Sequence, residues 1–455
     1  MEIKKFSLKE FVISEKFYFL FIVTLMIAIP VGELITELFN RPFISQPYIL
    51  AVYGFIGIVS VILFFVKNAK SGNLNIYPSD IFFILLVLFL ILTFLFAGGS
   101  SSIIGSPVLF EEWPLHSFAY FSLMFAGTMI TDDKLRKGVL YAFAAVAFFH
   151  CAIAFPQSFG KAISYCYGSI AFHLKTHAIY GFTTNCNFFA ALSTMFSALS
   201  AGLFMFSEKG KKKWLFLALY ILCFYCSIAT TARIAWLGAM GTHGLYIISF
   251  IVMKAKKYDS EKLKKHVLNW GIVIAASAAI LAYFAIFTDI LTSGLNETLN
   301  DLNGNDFDAF GSWRGYIWRF GFEAIPDHWL FGIGLNNYEE CFYSNPKYVS
   351  GEYVAFLAHN EYLNVLVTQG VFAAVNYMAF LVYSCVIGVK TVINTENDER
   401  RAAAWILLGM FAGYAAQALV NNSVINVAPY FWITVGMTMP KCEQKIFKPK
   451  LKRKV

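Results

Sequence analysis

Twelve runs of apolar residues, each near the length that crosses a bilayer, dominate this chain. They cover 17–39, 48–66, 80–97, 115–131, 138–156, 183–206, 214–230, 233–253, 267–288, 371–390, 402–421 and 424–439. A hydrocarbon core about 30 Å thick takes roughly 20 apolar residues in helical form, and backbone polar groups in lipid must be satisfied within the segment. The expectation is an all-α polytopic membrane protein with about 12 transmembrane helices. Only 14% of the 455 residues are charged and 58% are hydrophobic, whereas a soluble domain carries roughly 25% charged residues. The first run, from Phe17, is too long for the core of a cleavable signal peptide and lacks a small-residue cleavage site.

An even number of spans puts both termini on one side. Of the 36 Lys and Arg residues, 29 fall in the connections that share a side with the termini. The other set holds Arg41, Lys161, Lys175, Arg233, Arg314, Arg319 and Lys347. Basic connections stay cytoplasmic, so both termini are expected in the cytoplasm, and the net charge of +8 is a topology signal with no bearing on nucleic acid. The chain divides into N-terminal spans over 1–180, a second membrane unit over 181–440 and a basic tail over 441–455.

The outer side then carries one long connection, 289–357, between the ninth and tenth spans, with ten acidic and three basic residues. Loops of this length are usually functional or disordered. Its first part, 294–311, reads as polar and mobile. From Ser312 to Ile325 the spacing predicts a helix with Trp313, Ile317, Phe320 and Ala324 on one side, capped by Ser312 and broken by Pro326. Gly332 and Gly334 permit tight turns before Asn336. A smaller outer connection, 157–182, carries His173, Lys175 and His177 and leads into an amide-rich stretch with Asn185 and Asn187. Cys223 and Cys226 have CxxC spacing but sit in an apolar run, which reads as a buried structural pair. Cys166, Cys186 and Cys341 fall in or near outer connections.

Three groups converge on this outer side. Arg233 stands at the end of the eighth span, where an arginine at membrane depth marks a binding site or pathway more often than it snorkels. Arg314 lies on the loop helix, with Arg319 a weaker second. His359 begins the tenth span, beside Asn360 and Tyr362. Arginine offers a planar fork for phosphate oxygens, and histidine can take a proton from a hydroxyl near neutral pH. Together they suit transfer from a lipid diphosphate to a hydroxyl, with fixed cations stabilising the leaving group in place of a metal. Asp306-Phe307-Asp308 has DxD spacing but reads as a solvated turn, and the first outer connection, 40–47, holds no acid. No HExxH, Walker A or GxSxG sequence occurs.

These residues resemble a known family, the O-antigen ligase and O-antigen polymerase membrane proteins. His359-Asn360-x-Tyr362-Leu363-x-x-Leu366-x-x-x-Gly370 is similar to the family's histidine motif. Arg314-x-x-x-Trp318, Pro326 and Gly332-x-Gly334-x-Asn336 are similar to its loop arginine and glycine turn. Thr230-Thr-Ala-Arg233 resembles its arginine on a middle span, with Ala232 where serine is usual, and Gly181 to Ala190 resembles its amide-rich segment, with Cys186 where proline is commoner. The resemblance covers roughly 180–440. It implies a glycosyltransferase-C-like fold in the bacterial inner membrane, a glycan donor on undecaprenyl diphosphate, and a metal-independent, cofactor-free, inverting transfer. Carried over by position, Arg233 and Arg314 bind the diphosphate and His359 activates the acceptor. Asn185, Asn187, Arg319, Asn360 and Tyr362 are the expected substrate contacts.

A lipid A core acceptor would make the protein a ligase, and a second lipid-linked repeat would make it a polymerase of O-antigen, capsule or exopolysaccharide. A pilin or other protein acceptor is a third reading. A transporter or flippase would place charges deep in the spans or pair broken helices near the midplane. Here the spans are mostly apolar, and the notable charges sit at their outer ends.

Overall fold

The computed structural model describes residues 8–39, 45–97, 114–160, 179–183, 185–207, 210–256, 258–304 and 306–447. Arg41, Lys161, Cys166, His173, Lys175, His177 and the last residues of the basic tail lie outside the described residues. Among those described, the secondary structure is helical apart from one isolated bridge between Ile76 and Phe447. Nine of these helices are long and apolar enough to cross a membrane. The other three expected segments are helical as well, but they depart from a simple span. Pro114–Met129 has 16 residues, Ala428–Thr438 has 11, and Asp398–Gln417 opens on four charged side chains. An 11-residue helix rises only about 16 Å.

Local sequence explains where several helices start. Asp132, Asn185, Asp259, Asn360 and Asn397 each stand just before a helix and accept hydrogen bonds from its first-turn amides. The centre of the bundle is Cys186–Phe206, buried without interruption from Phe189 to Met205. Its alanines, serines and glycine let neighbouring helices come close, which matters in lipid because apolar side chains gain little by leaving it. The hydroxyls of Thr194, Ser197 and Ser200 donate to carbonyls one turn back, at 2.7, 2.8 and 2.7 Å. This helix packs against Lys211–Ala229, Ile234–Ala255 and Asp398–Gln417. Cys223 and Cys226 are buried free thiols, with the Cys151 Sγ 3.7 Å from that of Cys223, and Cys186 and Cys341 are free too.

Between Ser260–Phe287 and Glu361–Asn394 the chain is more ordered than its polarity suggests. The stretch expected to be mobile begins inside a helix, Ile290–Asn303, with Gly294 packed against the Trp236 ring. The helix Phe310–His328 follows, and Pro326 lies within it, so it runs past the expected break. Ser312 does not cap it. Gly311, Ser312 and Trp313 have φ of 63, 60 and 72°, a left-handed turn from which the regular helix starts at Arg314. Ile317, Phe320 and Ala324 are buried as their spacing predicts, but the turn throws Trp313 outward, leaving it 60% exposed.

The helix that follows His359 is bent. Gly370 has φ 84 and ψ 176°, which interrupts Glu361–Asn394. The carbonyls of Val367 and Thr368 instead accept from Ile333 and Gly334 at 3.0 Å each, and the amide of Val371 donates to Trp329 at 2.8 Å. The Gly332–Gly334 turn, with φ of 72 and 99°, thus supplies hydrogen-bond donors to the Val367 and Thr368 carbonyls at the bend.

Candidate active site

Arg233 immediately precedes Ile234–Ala255. The turn before it is held by Thr230, whose hydroxyl donates to Ser227 at 2.7 Å and accepts from the Ala232 amide at 3.2 Å. Its guanidinium donates to the Asp301 carboxylate at 2.5 Å and lies 3.5 Å from Glu297. Thr298 and Ser312 stand at 3.5 and 3.3 Å. Glu297 and Asp301 are four apart and so share one face of Ile290–Asn303.

Arg314 is held differently. Its Nε donates to the Val420 carbonyl at 3.0 Å and its Nη1 to the Gly311 carbonyl at 2.5 Å. Among the described residues it makes no ion pair with a carboxylate. Burial and the nearby Arg233 lower its pKa, and Asp301 opposes the shift, yet an arginine keeps its proton throughout the working range. Arg319, one and a half turns on, grips Asp308 through both carboxylate oxygens at 2.7–3.2 Å and lies over the Phe320 ring. Asp306 accepts from the Asp308 amide at 3.0 Å, so the DxD sequence forms a local turn with an arginine partner.

His359 has φ 49°, a conformation rare outside glycine. Its Nδ1 lies 3.2 Å from Nδ2 of Asn422. Burial, with a smaller contribution from Arg314, pushes its pKa down to about 4, so the imidazole is neutral near pH 7. Asn360 accepts from the Leu363 amide at 3.0 Å and caps the next helix. Tyr362 donates to the Ala415 carbonyl at 2.8 Å. Glu361 turns into the bundle, where Tyr377 and Tyr414 both donate to it, Tyr414 at 2.7 Å.

Arg233, Arg314 and His359 line one cavity of about 700 Å³, together with Asn187. Trp313, Tyr316, Glu352 and Tyr353 complete much of its wall. Asn185, Arg319, Asn360 and Tyr362 are absent from that lining. Asn185 caps its helix by accepting from the Asn187 amide at 2.8 Å, and the other three have the partners described above. Sequence reasoning missed the segment 418–422, which ties the site together. Its Ala418 carbonyl accepts from the Glu361 amide at 2.9 Å, Val420 receives Arg314, Asn421 donates to the Asn187 carbonyl at 3.2 Å, and Asn422 meets His359. Two adjacent asparagines at the end of an apolar run were the available signal.

Residues 217–378 match the model of the O-antigen ligase family. The match shows the resemblance read from the sequence. The matched segment contains Arg233, Arg314 and His359, and leaves Asn187 and the 418–422 segment outside. No curated protein matches the chain. A second, almost wholly apolar groove of about 490 Å³ is lined by Trp236, Met240, Ile274, Leu281, Leu291 and Leu295, among others. Trp236 also touches the position of Gly294, where a Cβ would come within 3.7 Å of Arg233. No group of three or more His, Cys, Asp or Glu side chains able to hold a metal occurs among the described residues.

Proposed function

We propose that the protein transfers a preassembled glycan from undecaprenyl diphosphate to an acceptor hydroxyl at the outer face of the bacterial inner membrane. The observation that carries this reading is the meeting of Arg233, Arg314 and His359 around one cavity, although 81 and 45 residues separate them in turn. The match to the O-antigen ligase family supports a ligase- or polymerase-type transferase. In this reading Arg233 and Arg314 bind the diphosphate, and the apolar groove beside Trp236 receives the lipid chain. Neutral His359 takes the acceptor proton as the acceptor oxygen bonds to the anomeric carbon. The bond from that carbon to the diphosphate oxygen breaks with inversion, and its electrons leave on the diphosphate. The two guanidiniums stabilise that charge where it develops, so the step is metal-independent.

The test is a transfer assay with purified protein, a lipid-diphosphate glycan and a panel of acceptors. Transfer to lipid A core assigns a ligase, and joining of two lipid-linked repeats assigns a polymerase. His359→Ala should abolish transfer while the protein remains in the membrane. Undiminished transfer by that variant would refute the base assignment.

A further inference from the structure

The mechanism above assigns no role to Asn422, although this side chain is only 3% exposed and faces the histidine directly. A general base must carry its lone pair on the nitrogen that meets the substrate, so the other ring nitrogen must hold the proton. That requires a hydrogen-bond acceptor at Nδ1. An asparagine amide can present either face there, Nδ2 to donate or Oδ1 to accept, and a half turn exchanges the two in the same space. In the structure Nδ2 faces Nδ1 at 3.2 Å, while Oδ1 is buried without a hydrogen-bond partner. The first arrangement places the histidine proton on Nε2 and leaves no basic nitrogen for the substrate. The exchanged arrangement gives Oδ1 a donor and frees Nε2.

We propose that Asn422 is the positioning residue for His359, accepting from Nδ1–H through Oδ1 so that Nε2 is the base. This rests on the transferase reading above. The surroundings are consistent with a neutral partner for the imidazole. The charged groups sharing its cavity are Arg233, Arg314, Glu297 and Glu352, with Tyr316 and Tyr353 alongside. Glu361, two residues on, is turned away onto Tyr377 and Tyr414. An amide fixes the tautomer without adding charge, so the proton taken from the acceptor is readily passed on to water. Val420, two residues earlier, holds Arg314, so one short segment orients the base and one of the two cations that bind the leaving group.

Two substitutions separate tautomer control from simple packing. Asn422→Leu keeps the branched side-chain shape and removes the acceptor. Asn422→Asp keeps the acceptor, removes the donor and adds a charge that favours the imidazolium. Measured on purified, monodisperse protein, Asn422→Leu should lower kcat by about 100-fold, the scale of general-base catalysis, with donor KM little changed. Asn422→Asp should retain transfer within about tenfold and move the acid limb of kcat/KM upward by about one pH unit or more. Wild-type kcat and pH profile in Asn422→Leu would overturn the proposal. Loss of transfer in Asn422→Asp as complete as in Asn422→Leu would overturn it too, because the amide N–H would then be the required group. Failure of the underlying reading looks different: His359→Ala would itself retain transfer.

Discussion

The guanidinium of Arg233, which lines the same cavity as Arg314 and His359, meets the carboxylate of Asp301 at 2.5 Å. The two residues come from different helices, and the acid occupies a fork that phosphate oxygens would use. In the proposed reaction a bound diphosphate competes with Asp301 for this arginine.

Asp301→Asn should therefore strengthen donor binding. The pair is partly exposed, so its contribution is modest, and donor KM should fall by about threefold, in line with ~0.6 kcal/mol for such pairs. Steady-state kinetics with varied donor checks this. A raised KM would show that Asp301 serves to orient Arg233 and does not compete with the substrate.

Lysine at Arg233 or Arg314 keeps the charge and loses the planar fork. Losing one charge-assisted hydrogen bond of about 1.5–3 kcal/mol should cost about 10- to 100-fold in kcat/KM. At Arg314 the loss should be compounded, because lysine cannot reach both the Val420 and Gly311 carbonyls in the same geometry. A fully active lysine variant at either position would rule out bidentate phosphate binding there.

The pH profile should have an unusually low acid limb. A base that must be neutral loses activity as pH falls through its pKa. Burial and Arg314 disfavour the His359 imidazolium and bring that pKa to about 4 from the ordinary 6.5. The kcat/KM profile, which reports the free enzyme, should hold to roughly pH 5 before it declines. Arg314→Gln removes a like charge and should move the limb upward in whatever activity remains. A wild-type limb at or above the ordinary histidine value would contradict the buried, neutral base.

Transfer should withstand chelation, because in the proposed reaction two guanidiniums do the work of a divalent ion. Incubation with EDTA before the assay checks this. Activity that disappears with the chelator and returns with a divalent ion would overturn the metal-independent reading.

The bend at Gly370 should tolerate no side chain. A Cβ there would lie 2.3 Å from the Leu330 carbonyl oxygen, and the backbone has φ 84°. Gly370→Ala should destabilise the protein by at least ~1–3 kcal/mol, the usual cost of such a strained backbone. Thermal unfolding in detergent measures it. Gly271→Ala, at a helical position with nothing within 4 Å, should be close to neutral. Equal stability of the two variants would mean the bend relaxes freely.

Much of this architecture was legible in the chain because a bilayer makes composition decisive: an apolar run of the right length has few alternatives to a helix. Arg233 stood out for the same reason, since a charge at the end of an apolar run is costly. The 290–303 helix was not legible. Its polarity reads as a loop, and its order comes from packing of Gly294 on Trp236 and from the acids that meet Arg233. Arg319 and Tyr362 have the chemistry of substrate contacts, but Asp308 and the Ala415 carbonyl, both outside their own local motifs, engage them.

Sequence alone determined the helical membrane class and the family resemblance, and singled out the three residues on which the proposed chemistry rests, because hydropathy, charge and a short motif are local properties of the chain. Only the tertiary structure decided that Arg233, Arg314 and His359 share a cavity, and that Asn422 rather than Asn360 or Tyr362 contacts the histidine. Such partners are set by how helices distant in sequence cross, and the buried polar groups then pair with whichever neighbours that crossing brings within hydrogen-bond reach.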